Sequence, residues 1–232
     1  MWQLLTNTFQ ICWARSQRMN DIISNTVICL ERSQIDTASQ MLCHAFDRDP
    51  MLGYITQDAG SRKPDIIKNF CTAILRYSQP YHHTYTTEDL KGIAVWIPPG
   101  YFPINFVQLF QSGLYTLPFK LGFKGFRRWL SLFTLDTYHR QDLPEPHWYL
   151  LLLAISPEHQ GQGVGSSLLA PILTQADYKQ IPCYVEVFTE AAVNFYRKHG
   201  FEMVRTVLLS KHAPCFWTMR RKPQNQVQNQ SR

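Results

Sequence analysis

One stretch limits what this chain can become: LLLLAISPEHQGQGVGSSLLAPIL, which begins at Leu150. Its apolar lead-in, residues 148–155, has the length of a buried strand and falls well short of the ~20 residues a bilayer span needs. Pro157 cannot donate to a sheet ladder, so the strand has to stop near Ser156. Three glycines on alternate positions, Gly161, Gly163 and Gly165, then open an apolar pattern with helical spacing over residues 164–178. A strand, a glycine turn and a helix in that order leave the first helical amides unpaired and pointing outward, at the positive end of the helix dipole. Glycines beside them let a ligand approach the main chain, so the predicted occupant is a phosphate or pyrophosphate that needs no basic side chain.

Three loop types make such a site. A P-loop requires Lys followed by Ser or Thr after its last glycine, whereas Ser166 and Ser167 follow here, which excludes it. A dinucleotide fingerprint requires its glycines directly after the strand, and four residues intervene; Glu186 nevertheless stands about 20 residues on, where that motif places its ribose acid. This alternative therefore stays open at the level of spacing. The third pattern, Q/R-x-x-G-x-G/A, is matched in full by Gln160, Gly161, Gln162, Gly163, Val164 and Gly165.

The rest of the chain alternates strand and helix signals. NTVICLE from Asn25 reads as a strand, and helical patterns run over 36–46 and 65–77, the second on Ile66, Ile67, Phe70, Ile74 and Leu75. YHHTYTTED and GIAVWIPPG read as paired strands, the latter stopped by Pro98 and Pro99. After the central motif come a strand at 183–188, a helix at 190–199 and two closing strands at 201–209 and 215–220. We expect three parts: an N-terminal extension (1–24), a domain over 25–220 with a helical insertion at 101–144, and a polar, disordered tail (221–232).

With 232 residues, 45% of them hydrophobic and 17% charged, the chain can bury one substantial core. A net charge of +6 and a pI near 9.0 suit an anionic partner without naming it. No nucleic-acid motif appears and the basic residues are dispersed, so no nucleic-acid partner is expected. The six cysteines stand apart from each other and from histidine, as reduced thiols of a cytoplasmic protein do.

The Gln160 to Gly165 pattern resembles motif A of the GNAT superfamily of acetyl-CoA-dependent N-acetyltransferases. AAVNFYRKHGFEMV, from Ala191, is similar to that family's motif B, a helix carrying a tyrosine four residues before Gly-Phe. Within the superfamily, GIAVWIPPG, HWYLLLLAISPEHQGQGVGSSLLAPIL and CYVEVFTEAAVNFYRKHGF most resemble the branch that contains puromycin acetyltransferase. The resemblance implies an α/β GNAT fold: a mixed, mostly antiparallel central sheet flanked by helices, with the aromatic-rich insertion between the third and fourth strands. It implies an enzyme that moves the acetyl group of acetyl-CoA to an amine, of a small molecule before a protein or peptide, with no metal and no covalent intermediate. A non-catalytic acetyl-CoA-binding module is the rival reading.

Carried over by position, the resemblance places the pantetheine arm along Ala154, Ile155 and Ser156, where the sheet splays. It gives the pyrophosphate to the amides of Gly161, Gln162, Gly163, Val164, Gly165 and Ser166, beside Gln160. The Ile155 amide becomes the oxyanion donor and Tyr196 the acid for the departing sulfur. Glu186 is a carboxylate in the apolar strand CYVEVF, on one face with Tyr184 and Phe188, and stands as base or as anchor for the substrate ammonium. His147, His82 and His83 are candidate relays. Thr189 stands where the wider family commonly has asparagine, which puts that cofactor contact in doubt. The insertion, with Phe119, Phe123, Phe126, Trp129 and Phe133 at helical spacing and Lys120, Lys124, Arg127 and Arg128 on other faces, is read three ways. It covers the acceptor pocket, joins two copies in a homodimer, or lies on a membrane surface without inserting stably.

Overall fold

The computed structural model describes residues 25–208 and 213–224. The expected extension and all but the start of the polar tail lie outside them. Among the described residues one sheet of seven strands forms the frame: β1 (Val27–Cys29), β2 (Thr84–Thr87), β3 (Gly92–Ile97), β4 (Trp148–Ile155), β5 (Cys183–Val187), β6 (Glu202–Leu208) and β7 (Cys215–Arg221). Their order is β1-β2-β3-β4-β5-β7-β6, and every pairing is antiparallel except β4 with β5. β3 is buried on both faces along its whole length, as its unbroken apolar sequence GIAVWI requires.

Among the described residues eight α-helices accompany the sheet: α1 (Ile35–Ala45), α2 (Pro50–Thr56), α3 (Lys63–Ser78), α4 (Phe106–Gln111), α5 (Leu117–Ser131), α6 (Phe133–Asp142), α7 (Val164–Lys179) and α8 (Glu190–Lys198). One core, between the sheet and α1, α2, α3 and the insertion, includes Leu42, Ile67, Leu75, Ile93 and Ile97. The other, under α7 and α8, includes Trp96, Leu150, Leu168, Leu169 and Ile172. The insertion is mainly helical, over 106–111, 117–131 and 133–142, and enters between β3 and β4, as the aromatic spacing predicts.

Two features position the site. β4 and β5 pair only over Trp148, Tyr149 and Leu150 against Cys183, Tyr184 and Val185, while β4 runs on to Ile155 and β5 to Val187. The sheet therefore opens into a V at its centre. α6 is fixed over that opening by Asp142, whose buried carboxylate accepts from Thr218 (2.6 Å) and from Arg205 Nη2 (2.7 Å) and Nε (3.0 Å), with Tyr184 at 3.3 Å. A last-turn aspartate is unfavourable at a helix C-terminus. Here these three donors offset it and bind the insertion to β5, β6 and β7.

Candidate active site

The V leads into a cleft of about 970 Å³, bordered by the far half of β4, the glycine turn, β5, α8 and the underside of the insertion. Ser156 donates its amide to Lys91 O at 2.9 Å, and Gly92 lies opposite Ile155. Amides of an antiparallel strand alternate in direction, so Ile155 turns its N–H away from β3 and into the gap that β5 has vacated. Of the three strand-end residues expected to meet a pantetheine arm, Ser156 is thus committed to β3, Ala154 has the same orientation, and Ile155 faces the opening. The side chain of Gln160 reaches the Ile155 carbonyl at 3.2 Å, bracing the strand end against the loop.

The glycine turn divides its labour. Gly161 (φ 77°) and Gly163 (φ 81°) adopt left-handed backbone with open space where a Cβ would stand, so the turn itself demands glycine there. Gly163 is the N-cap of α7 and contributes no side-chain acceptor. The first amide of this segment to reach a backbone carbonyl is that of Ser167, on Gly163 O at 3.0 Å. Among the described residues, the amides of 161–166 thus remain available for an anion. Gly165 serves a different need: an added Cβ would sit 3.0 Å from Phe195 Cζ, so this glycine lets α8 pack against α7. Ser166 Oγ shares a 2.9 Å hydrogen bond with His199 Nε2, a second tie between the same helices.

Tyr196 lies on the inner face of α8, only 5% exposed, between the rings of Phe195 and Phe201, and borders the cleft. Burial pushes its phenol well above the ordinary range, so it retains its proton at any physiological pH. Thr189 caps α8, its hydroxyl accepting from Ala192 N at 3.2 Å. That helix-capping role explains a threonine at this position.

Glu186 points into the cleft from β5, its side chain 6% exposed. It accepts a hydrogen bond from Tyr149, whose phenol burial and the adjacent carboxylate hold far above its usual range. Its other neighbour is His139, from α6, with Nδ1 3.4 Å from Glu186 Oε1. That distance suits an ion pair, yet no hydrogen bond joins the two groups and, among the described residues, Nδ1 has no hydrogen-bond partner. His139 is fully buried, stacked between Phe102 (3.7 Å) and Tyr184 (3.8 Å), and its Nε2 meets His147 Nε2 at 2.7 Å.

Sequence reasoning did not single out His139. It sits in YHRQD among other polar residues, and only the docking of α6 through Asp142, three residues later, carries it over β5. Of the three histidines that sequence did single out, His147 joins this network. His83 instead bonds Tyr85 (3.2 Å) and packs on Trp148, and His82 closes the turn before β2 in left-handed backbone. The insertion supplies Trp129, Leu132, Phe133 and Leu135 to the cleft, while Phe119 and Phe123 are 86% and 82% exposed on its outer side.

Comparison with known proteins agrees with this geometry. The family profile described as an acetyltransferase (GNAT) domain matches residues 129–203, which span α6, β4, the glycine turn, β5 and α8. An uncharacterised N-acetyltransferase of Schizosaccharomyces pombe is 24% identical over 193 residues, covering 78% of this chain and 76% of its own. Among solved structures, a Corynebacterium glutamicum protein described as histone acetyltransferase HPA2 and related acetyltransferase superposes with a TM-score of 0.59 at 22% identity, over 87% of this chain and 97% of that one. A putative arylalkylamine N-acetyltransferase of Aedes aegypti gives 0.58 at 13% identity, over 85% and 87%.

Proposed function

We propose that this chain, whose residues 129–203 match a GNAT acetyltransferase domain and whose fold is that of solved acetyltransferases, is an acyltransferase of the N-acetyltransferase type that acetylates a small amine with an apolar body, drawing on acetyl-CoA. The observation that carries this reading is the recess beside Glu186. The Glu186 carboxylate suits an ammonium, and Phe102, Trp129, Leu132 and Phe133 suit the rest of the acceptor. A covered recess favours a small acceptor over a protein surface, as does the resemblance to the puromycin acetyltransferase branch. A cytoplasmic location accords with the reduced thiols, and no helix among the described residues is long and apolar enough to cross a membrane.

On this reading acetyl-CoA lies in the V between β4 and β5. Its pyrophosphate meets the amides of 161–166 at the start of α7, and its pantetheine arm takes the place of the missing ladder beside Ile155. The Ile155 amide, already aimed at the gap, polarises the thioester carbonyl and stabilises the oxyanion that forms there. The acceptor nitrogen, freed of one proton at Glu186, attacks the carbonyl carbon. The C–N bond forms, the C–S bond breaks, the Tyr196 hydroxyl protonates the departing sulfur, and the second proton lost from the nitrogen restores the Tyr196 hydroxyl. Holding both reactants in one cleft supplies proximity, so no acyl-enzyme is required.

The test is a panel of small aliphatic and aromatic amines, with lysine peptides and N-terminal peptides as a separate arm, each supplied with acetyl-CoA while released thiol is followed. We expect turnover in the small-amine arm. Turnover confined to the peptides would replace the substrate class. Acetyl-CoA binding with no turnover on any amine would leave a binding module.

A further inference from the structure

The hydrogen positions along the buried histidines follow from the backbone carbonyl that meets His147, which can only accept. Glu145 O lies 2.6 Å from His147 Nδ1, so Nδ1 carries the hydrogen. His147 is kept neutral by burial, which lowers its pKa to about 4, and its Nε2 is therefore a bare acceptor. The 2.7 Å contact between the two Nε2 atoms then needs the hydrogen of His139. With that hydrogen on Nε2, a neutral His139 presents a bare Nδ1 to Glu186 Oε1 at 3.4 Å, and this is the atom that lacks any partner. Two lone pairs face each other across a space that one proton would fill.

Resting on the acetyltransferase reading above, we propose that His139 and Glu186 form a single proton-accepting unit for the substrate ammonium, and that His147 positions His139 by fixing its tautomer. The ammonium gives one proton to the space between Nδ1 and Oε1, taking the pair from one net negative charge to none. The amine attacks, and the second nitrogen proton leaves the tetrahedral adduct as the Tyr196 hydroxyl protonates the thiolate and is itself reprotonated. After product release the pair returns its proton to water. The titratable groups facing His139 are Tyr184 and Glu186 from β5, Tyr149 from β4 and His147 from the preceding turn, with Asp142 reached through Tyr184. The guanidinium of Arg140 lies beyond Phe102, 5.7 Å from its ring. Both tyrosines hold their protons, which leaves the pair as the acceptor.

Two measurements test this. In the unmodified protein, nitrogen NMR at neutral pH without cofactor should show His147 protonated at Nδ1 and bare at Nε2. The reverse tautomer, or a doubly protonated His147, would overturn the proposal whether or not the protein acetylates anything. Next, His139→Phe keeps the ring stack but offers neither nitrogen. With the best amine of the panel, kcat/KM should fall about 10-fold or more. The shape of its pH profile should change, because one of the two atoms between which the proton is held has been removed. Affinity for acetyl-CoA, measured by calorimetry, should stay within about twofold. A profile that superimposes on that of the parent protein would show that His139 only packs. The wider reading fails separately, by the absence of amine-dependent thiol release in the parent protein.

Discussion

At the residue scale, the two kinds of glycine in the turn separate binding from folding. Gly163→Val forces a branched side chain into left-handed backbone beside the expected pyrophosphate, and should raise the acetyl-CoA dissociation constant ~10-fold or more, about 1.4 kcal/mol. Gly165→Val meets the Phe195 ring instead, so it should lower unfolding stability by roughly 1–3 kcal/mol. Adding Phe195→Ala should recover part of that loss. Calorimetry and thermal unfolding distinguish the two effects. Tyr196→Phe should cut turnover ~10²-fold with acetyl-CoA affinity nearly intact, read from steady-state kinetics. The sequence displayed the glycines and Glu186 because they stand out of a local pattern, and Tyr196 because it stands four residues before Gly200 and Phe201. His139 interrupts nothing in its helix, and its place beside Glu186 arises from contacts with residues distant in the chain.

Elements tell a similar story. Strand β4, the start of α7 and the helix of motif B were legible almost to the residue, since hydrophobic period, proline and glycine all agreed there. α2 was missed although Asp49 caps it, accepting from Leu52 N at 2.8 Å, with Pro50 in its first turn; seven residues give too short a periodic signal. The insertion's helices were legible, but not their orientation. Gly122 breaks α5 in mid-course (φ 65°), and Phe119 and Phe123 face outward although their spacing resembles that of core residues. On the proposed reading the acceptor would meet Trp129 and Phe133, which line the cleft. Replacing both with alanine should raise the Michaelis constant for the amine several-fold while leaving that for acetyl-CoA unchanged. Changing Phe119 and Phe123 to serine should leave amine kinetics alone, and light scattering or vesicle sedimentation would show whether they meet a second copy or a lipid surface. Asp142→Asn should loosen α6, costing roughly 2 kcal/mol of stability and more activity than that loss explains.

For the whole molecule, the shared device is a sheet that pairs at one end of β4 and parts at the other, with an insertion fastened over the opening. Its stability should depend on pH through His147. Burial holds this imidazole neutral, to about 4, against an ordinary value near 6.5, so the folded state binds fewer protons than the unfolded chain between those limits. That contribution is present above pH 6.5 and is lost as pH falls towards 4, on the order of 3 kcal/mol in all. Urea unfolding from pH 7 to pH 4 should show the decline, and His147→Gln should flatten it. The fold was legible in the sequence because the glycine pattern at 160–165 and the stretch AAVNFYRKHGFEMV stand at the separation the resemblance implies. The acceptor recess was not, because residues from α6, β4 and β5 meet there only after the chain has folded.

The central claim is that acetyl-CoA occupies the parted strands and the glycine turn, and amide hydrogen exchange with and without saturating acetyl-CoA tests it most directly. Ile155 and the amides of 161–166 should become protected on binding, because each gains an acceptor it lacks in the free protein. Ser156, already bonded to Lys91, should change little. Saturation of the protein with acetyl-CoA while Ile155 and 161–166 exchange as before would contradict the account.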